Sequence, residues 1–114
     1  MFESDRAARI FKVLSVETRL RMIAILKNRC LCVNALARTL EITPAAVSQH
    51  LRILRDADLV VAEKRGYFVH YRLNEETLQQ LAETLKPLLE TSKNKKEAVY
   101  VSAQLLSETG KFKG

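Results

Sequence analysis

Glycine is scarce in this sequence, and so are cysteine and long apolar runs; each shortage excludes a class of protein. Three glycines among 114 residues provide no Gly-rich loop of the kind that cradles a phosphate group. No nucleophile, base and orienting residue stand together at a recognisable spacing. We therefore predict that the protein is not an enzyme and has no catalytic residues and no cofactor.

Long hydrophobic segments are absent as well. No stretch approaches the roughly 20 apolar residues needed to span a bilayer, and residues 1–6 lack the basic and apolar regions of a signal peptide. The expected location is the cytoplasm, with no membrane partner. No internal repeat or low-complexity segment interrupts the chain, and its length fits one folded domain.

The two cysteines, Cys30 and Cys32, are too close in sequence for a useful structural disulfide, and a cytosolic chain would keep them reduced. Two thiols without a nearby histidine also fall short of the four ligands of a closed zinc site, so we predict no metal site. Cys32 precedes a predicted helix, where a thiolate is favoured. An effector or redox role for the pair and an ordinary half-buried pair both remain open.

Positive charge is what the sequence has in excess. Lys and Arg number 19 against 13 Asp and Glu, which gives a net charge of +6 and a pI of about 9.6. Such a balance favours a polyanion such as nucleic acid, or an anionic membrane surface. Charge alone does not distinguish them.

Residues 43–57 are predicted to form the helix around which the chain is organised. Thr43 is suited to the N-cap and Pro44 to the first helical position. An apolar stripe at helical spacing comprises Val47, Leu51 and Leu54, with His50 at its edge. The outward face carries Ala45, Ser48, Gln49 and Arg52, which suits a DNA groove because Gln and Arg can bond base edges bidentately. A plain surface helix is the alternative.

Three further helices are predicted before it, at residues 4–14, about 16–27 and about 33–40. The first is capped by Ser4 or Asp5. The second presents Leu20, Ile23, Ala24 and Lys27 on one face, and Leu26 adds to that core face. The short turn at residues 41–43 between the third and fourth helices is the length that a helix-turn-helix motif requires.

Residues 59–73 change to a period of two and predict a hairpin. A two-residue loop, Arg65-Gly66, would pair Lys64 with Tyr67 and leave Lys64, Arg65 and Tyr67 at an open, basic tip. Such a hairpin after a recognition helix is a wing; the alternative is a generic hairpin with a solvated tip.

A last long helix is predicted to begin after Asn74 and to keep its regular part as far as Lys86, because Pro87 removes a backbone donor. Its leucine stripe comprises Leu78, Leu81, Leu85 and Leu88. We expect helix 75–86 and the N-terminal helix to form a symmetric dimer interface, the alternative being intramolecular core. The predicted organisation is a winged helix-turn-helix domain for DNA binding and dimerisation at residues 1–91, and a partly helical or flexible extension at 92–114. Its class is mainly α with a small two-stranded β-hairpin.

Five motifs follow one another along residues 14–73: Leu14-Ser15-Val16-Glu17-Thr18-Arg19-Leu20-Arg21, Leu31-Cys32-Val33, Ala35-Leu36-Ala37, Ser48-Gln49-His50-Leu51-Arg52-Ile53-Leu54 and Gly66-Tyr67-Phe68-Val69-His70-Tyr71-Arg72-Leu73. Through these motifs the chain resembles the ArsR (arsenic-repressor) family of winged-helix regulators over about residues 10–75. The resemblance implies a homodimeric repressor that leaves operator DNA when a metal ion, metalloid or other chemical signal binds.

Two departures from the family pattern concern the signal. Members that bind arsenic or cadmium often have Leu-Cys-Val-Cys where this chain has Leu31-Cys32-Val33-Asn34. Residues 74–91 contain no histidine for a zinc- or nickel-type site. For His50 and His70 we expect packing or phosphate contact before metal ligation.

The sequence thus predicts a repressor that binds double-stranded operator DNA as a homodimer, with an unknown effector. The predicted DNA-binding residues are Thr43, Ala45, Ser48, Gln49, Arg52, Lys64, Arg65 and Tyr67. The rival hypothesis is a winged-helix module for protein contacts in which the basic charge is incidental.

Overall fold

The computed structural model describes residues 3–90 and 102–103. The elements in chain order are α1 (Ser4–Leu14), α2 (Glu17–Leu26), β1 (Leu31–Cys32), α3 (Val33–Leu40), α4 (Pro44–Asp56), β2 (Val60–Arg65), β3 (Phe68–Leu73) and α5 (Glu75–Leu89). The predicted winged helix-turn-helix fold is confirmed. The predicted extension at 92–114 lies outside the described residues, apart from 102 and 103, and the boundary at residue 91 stays a prediction.

The hydrophobic core takes a buried side chain from each of these helices and from the sheet. Its most deeply buried members, at 0% exposure, include Met22, Leu36, Val47, Leu54 and Leu59. Burying a side chain of this size contributes about 1.5–3 kcal/mol relative to leaving it exposed. These positions therefore hold α2, α3 and α4 together as the scaffold beneath the exposed face of α4.

The core face of α2 differs in part from the predicted one. Leu26 is buried as predicted, and Ile23 is half-buried. Met22 is buried as well, whereas Leu20 is 51% exposed and Ala24 is also exposed. Apolar residues occur on several sides of this helix, so their spacing does not select one face, and packing against α1 and α3 decides which side is buried. The predicted caps of α1 were wrong as well, because Glu3 takes the N-cap position and makes no side-chain cap bond.

The turn between α3 and α4 has the predicted length. Glu41 adopts the left-handed conformation at φ 57°, and the Ile42 amide donates to the carbonyl of Ala37 at 3.2 Å. Thr43 then begins the next helix as its N-cap. A left-handed residue followed by a capping residue stops one helix and starts the next within three positions.

The sheet has three strands, not the predicted two, in the order β1-β3-β2. The additional strand is short: Leu31 pairs with Tyr71, and Cys32 pairs with His70. A two-residue strand leaves no periodic pattern in the sequence, which is why no strand was predicted between the second and third helices.

The hairpin register also differs from the predicted one. Arg65 pairs with Phe68 and Lys64 with Val69, so the loop is Gly66-Tyr67. Gly66 has φ 64°, which suits the first central position of a two-residue loop. The shift moves each pairing by two residues, an even number, so Val60, Ala62, Val69 and Tyr71 lie on the same face of the hairpin in either register.

Helix α5 continues through Pro87 to Leu89, so the predicted end near Lys86 was wrong. Pro87 lies in the last turn, where its missing N–H leaves the carbonyl of the exposed residue Glu83 without its helical donor. The Glu90 amide donates to the carbonyl of Lys86 at 3.0 Å. Asn74 caps the helix as predicted, accepting from the Thr77 amide at 3.4 Å. Among residues 3–90 and 102–103, no helix has the length and apolar character required to cross a membrane.

Candidate nucleic-acid interface

Helix α4 presents its polar residues to solvent on the side opposite its buried stripe. The Thr43 hydroxyl accepts a hydrogen bond from the Ala46 amide at 3.1 Å, which fixes the start of the helix. Val47, Leu51 and Leu54 are buried. The predicted DNA-facing residues on the helix and its cap are all exposed: Thr43, Ala45, Ser48, Gln49 and Arg52. The structure therefore brings these five residues to one surface.

Neither the Gln49 amide nor the Arg52 guanidinium makes a hydrogen bond or ion pair with another residue in the described part of the chain. Arg52 lines a shallow depression of about 210 Å³ together with Ser48, Leu51, Arg55 and Tyr71. This depression lies between α4 and strand β3 of the hairpin. An amide and a guanidinium in this state can bond to an incoming partner without first breaking an internal bond.

Two exposed arginines near this surface were not among the predicted site residues. Arg55 lies three residues after Arg52 on α4 and lines the same depression. Arg38 lies on α3 beside a hollow of about 500 Å³ that Asn34, Ile42 and Pro44 also line, at the start of α4. The spacing of three residues between Arg52 and Arg55 could have identified Arg55 from the sequence. Arg38 could be identified only once the packing of α3 on α4 was known.

The hairpin tip carries the remaining predicted residues. Lys64 and Arg65 are exposed, and Tyr67, in the loop, is 100% exposed. Because α4 and β2 pack against one another, the hairpin rises beside α4. A fully exposed aromatic ring close in sequence to two exposed basic residues is unusual for a solvated turn and suits contact with a partner.

An acidic residue modifies the charge at this tip. Glu63 on β2 accepts hydrogen bonds from the guanidinium groups of Arg72 and of Arg65, the latter at 3.3 Å. The bonds from Arg72 and Arg65 lower the pKa of the Glu63 carboxyl, so it stays ionised at neutral pH. Arg65 is therefore partly neutralised within the hairpin, whereas Lys64 has no ion pair with any other described residue.

The two histidines have different surroundings. His50 accepts a hydrogen bond at Nδ1 from Nε of Arg19 at 3.3 Å. Burial, and secondarily the charge of Arg19, lower the pKa of His50. His70 lies on β3, and its Nδ1 is buried without a hydrogen-bond partner in the described chain.

The cysteines lie at the edge of the sheet. Cys32 is half-buried and takes the N-cap position of α3, where its side chain makes no cap bond, and Cys30 is exposed. Because directly paired residues share a face, the register puts Cys32, His70 and Glu63 in a row across the three strands. Within residues 3–90 and 102–103, no group of three or more His, Cys, Asp or Glu side chains is arranged to hold a metal ion.

Comparison with known proteins gives a family match. The model of the family described as "Bacterial regulatory protein, arsR family" matches residues 17–61, which include α2, α3, the turn and α4. The arsenic resistance transcriptional regulator ArsR1 of Pseudomonas putida is 34% identical over 84 residues, which cover 73% of this chain and 66% of the relative. The chain thus spans slightly less than two thirds of that relative.

Solved structures of similar fold include two regulators. An ArsR-like transcriptional regulator from Rhodococcus sp. RHA1 aligns with a TM-score of 0.67 and 30% identity, over 74% of this chain and 79% of that chain. A homodimeric winged helix-turn-helix DNA-binding domain from Mycobacterium bovis, described as a possible ArsR-family regulator, aligns with a TM-score of 0.62 and 26% identity, over 74% and 79% of the two chains.

Proposed function

Because the chain belongs to the ArsR family of bacterial regulatory proteins, we propose that it is a homodimeric transcriptional repressor that binds operator DNA. The observation that carries this proposal is the exposed face of α4, where Ser48, Gln49 and Arg52 project from a helix whose other side is buried. An α-helix of this kind fits the major groove, where Gln reads adenine and Arg reads guanine. We propose that the protein is cytoplasmic, because a bacterial transcriptional regulator must be in the same compartment as the chromosome.

The residues divide by role. Gln49 and Arg52 contact base edges, with Ser48 bonding base or backbone, while Thr43 and Ala45 allow close approach at the start of the helix. Lys64, Arg65 and Tyr67 contact the phosphate backbone or the minor groove from the hairpin, which acts as the wing. Arg38 and Arg55 add phosphate contacts on either side, supported by their exposure beside α4.

The homodimer forms through α1 and α5. The leucine stripe of α5 begins in the core, where Leu81 is only 7% exposed, and ends in solvent, where Leu88 is 74% exposed. Leu88 and Leu89 at the end of α5 and Phe11 on α1 are exposed large apolar residues. An unburied continuation of an apolar stripe favours contact with a second copy, and the similar M. bovis domain is homodimeric.

An effector releases the repressor from DNA. We propose that the signal is a metal, a metalloid or a thiol-reactive compound, and the candidate residues to receive it are the thiols of exposed Cys30 and half-buried Cys32. Two thiols alone do not close a zinc site, so a metalloid would take a further donor from a second chain or a small thiol.

The test is selection of DNA by the protein itself. A library of duplexes with a 30-base-pair random core is incubated with the reduced protein, and bound duplexes are amplified over several rounds. A dimeric reader enriches an inverted repeat whose half-sites are centred about one helical turn apart, roughly 10 base pairs. The affinity for the selected operator should fall steeply as salt rises, because phosphate neutralisation releases counterions.

A winged-helix module for protein contacts is the competing function. It predicts no enriched sequence, and a weak affinity for DNA that is the same for every duplex. Failure to enrich any sequence, with intact folding shown by circular dichroism, would reject the repressor in favour of this module.

A further inference from the structure

One guanidinium joins three helices at a point away from the exposed face of α4. Arg19 on α2 donates from Nη1 to the carbonyl of Val13 at 3.1 Å and from Nε to Nδ1 of His50 at 3.3 Å. Both Arg19 and His50 are half-buried. Val13 lies in the last turn of α1, whose carbonyls lack helical partners and favour a nearby cation. Arg19 thus links the end of α1 to the middle of α4.

The link meets α4 on the side nearly opposite Ser48 and Arg52. At 100° per residue, Ser48 and Arg52 lie about 160° around the helix from His50, and Gln49 about 100°. The buried stripe of Val47, Leu51 and Leu54 holds α4 by apolar contact, which has no directional preference. The hydrogen bond to His50 is directional, so it restricts rotation of the helix about its own axis.

We propose that Arg19 and His50 are positioning residues for DNA recognition: their hydrogen bond holds α4 at the rotation in which Gln49 and Arg52 meet base edges. This inference rests on the proposed DNA-binding function. The bond makes Nδ1 the acceptor, so His50 is neutral and carries its proton on Nε2. Burial and the Arg19 charge lower the pKa of His50 and so maintain that form at neutral pH.

The readout is the ratio of two affinities. Binding is measured for the selected operator and for a scrambled duplex of the same length and composition. Loss of the fixed rotational position of α4 reduces operator binding, whereas contacts to phosphate that carry no sequence information persist on the scrambled duplex. The ratio therefore isolates base recognition from any general loss of charge.

Four variants test the bond. Arg19→Met removes the donor, His50→Leu removes the acceptor, and the double variant removes both; His50→Gln retains an acceptor oxygen that does not titrate. Each disrupting variant should lower the ratio by about tenfold, the change expected for losing one hydrogen bond to a charged group. The double variant should lose no more than either single one, because both break the same link. His50→Gln should keep most of the wild-type ratio.

Arg21→Met is the matched control. Arg21 is exposed on the same helix, so this variant removes the same charge without breaking the link and should leave the ratio unchanged. An unchanged ratio in Arg19→Met and His50→Leu would overturn the proposal, and so would additive losses in the double variant. A loss in His50→Gln equal to that in His50→Leu would instead assign the imidazole a direct contact with DNA.

A measurement on the unmodified protein keeps the proposal testable if a variant fails to fold. The ¹⁵N chemical shifts of the His50 ring distinguish the two neutral tautomers. A proton on Nε2 is expected, and a proton on Nδ1 would refute the link. Failure of the proposed function is a separate result, because it would appear as a wild-type protein that has equal affinity for both duplexes.

Discussion

Glu63 on β2 pairs with Arg72 on β3 across the hairpin, and the same carboxylate also bonds Arg65 near the tip. These two arginines lower the pKa of Glu63 and keep it charged. The hairpin therefore presents fewer uncompensated charges than its sequence suggests. Lys64, which has no such ion pair in the described chain, becomes the principal cation of the wing.

The first prediction separates Lys64 from Arg65. Lys64→Ala should reduce the slope of log K against log salt concentration by about one unit, because one phosphate contact is lost. Arg65→Ala should reduce it by less, since Glu63 already offsets part of its charge. Salt titrations of DNA binding by fluorescence anisotropy measure both slopes.

Glu63→Gln provides the control for this difference. In that background Arg65 has lost its ion pair. Arg65→Ala should then reduce the slope of log K against log salt concentration by about as much as Lys64→Ala does. If neither Lys64→Ala nor Arg65→Ala changes the slope, the hairpin does not contact DNA.

The second prediction concerns the face of α4. Gln49→Ala and Arg52→Ala should each weaken operator binding by about 1–3 kcal/mol and leave binding to a scrambled duplex nearly unchanged. Ala45 already has the smallest side chain that keeps the helix, so Ala45→Gln should also reduce operator affinity by blocking close approach. Equal losses on operator and scrambled DNA would show that Gln49 and Arg52 contact phosphate only.

The sequence was sufficient to predict those elements whose patterns are strong and local. The cap at Thr43, the proline after it and the single apolar stripe predicted α4 to within one residue at each end. The leucines and the cap of Asn74 predicted the start of α5 equally well. These features depend on residues within one helix, so the sequence contains the relevant information.

The sequence predictions were wrong where contacts between residues far apart in the sequence determine the structure. Leu20 and Met22 are both apolar, and only packing selects Met22 for the core. Strand β1 forms because its residues pair with the edge of β3. The hydrogen bond from Arg19 to His50 joins residues 31 positions apart. The loop was misplaced because Gly66 can occupy either central position of a two-residue turn, and cross-strand packing chooses between them.

The third prediction tests the dimer at Leu88, where the apolar stripe of α5 is exposed. Leu88→Glu should leave the fold intact and give monomers in sedimentation equilibrium, because a carboxylate in an apolar interface is costly. Operator affinity should fall with the loss of the second half-site contact. Leu81→Glu should instead unfold the protein, since Leu81 belongs to the monomer core.

Gln79→Glu is the matched control on the same helix. Gln79 is exposed and, at 100° per residue, lies about 180° from Leu88, so the new charge faces away from the proposed interface. This variant should remain dimeric. A dimeric Leu88→Glu protein would exclude the end of α5 from the interface.

The last prediction distinguishes the two interpretations of the cysteines. Cys32 takes an N-cap position with extended backbone and makes no cap bond, and serine is among the most favoured N-cap residues. Cys32→Ser should therefore raise the free energy of unfolding by about 0.5–1 kcal/mol, measured by urea denaturation, as its hydroxyl accepts from an amide of the first turn of α3. Cys30→Ser, at an exposed position before the strand, should leave it unchanged.

The double variant then tests function, because neither thiol lies on the exposed face of α4. Reduced Cys30→Ser/Cys32→Ser protein should fold, dimerise and bind the selected operator with wild-type affinity. Arsenite, cadmium ion and an organic hydroperoxide are each titrated into the protein–DNA complex while release is followed by anisotropy. If the pair is the sensor, at least one of them releases the wild-type protein and fails to release the double variant. Equal release of both proteins would show that Cys30 and Cys32 have no sensing role. Loss of operator affinity in the reduced double variant would contradict the placement of the two thiols away from DNA.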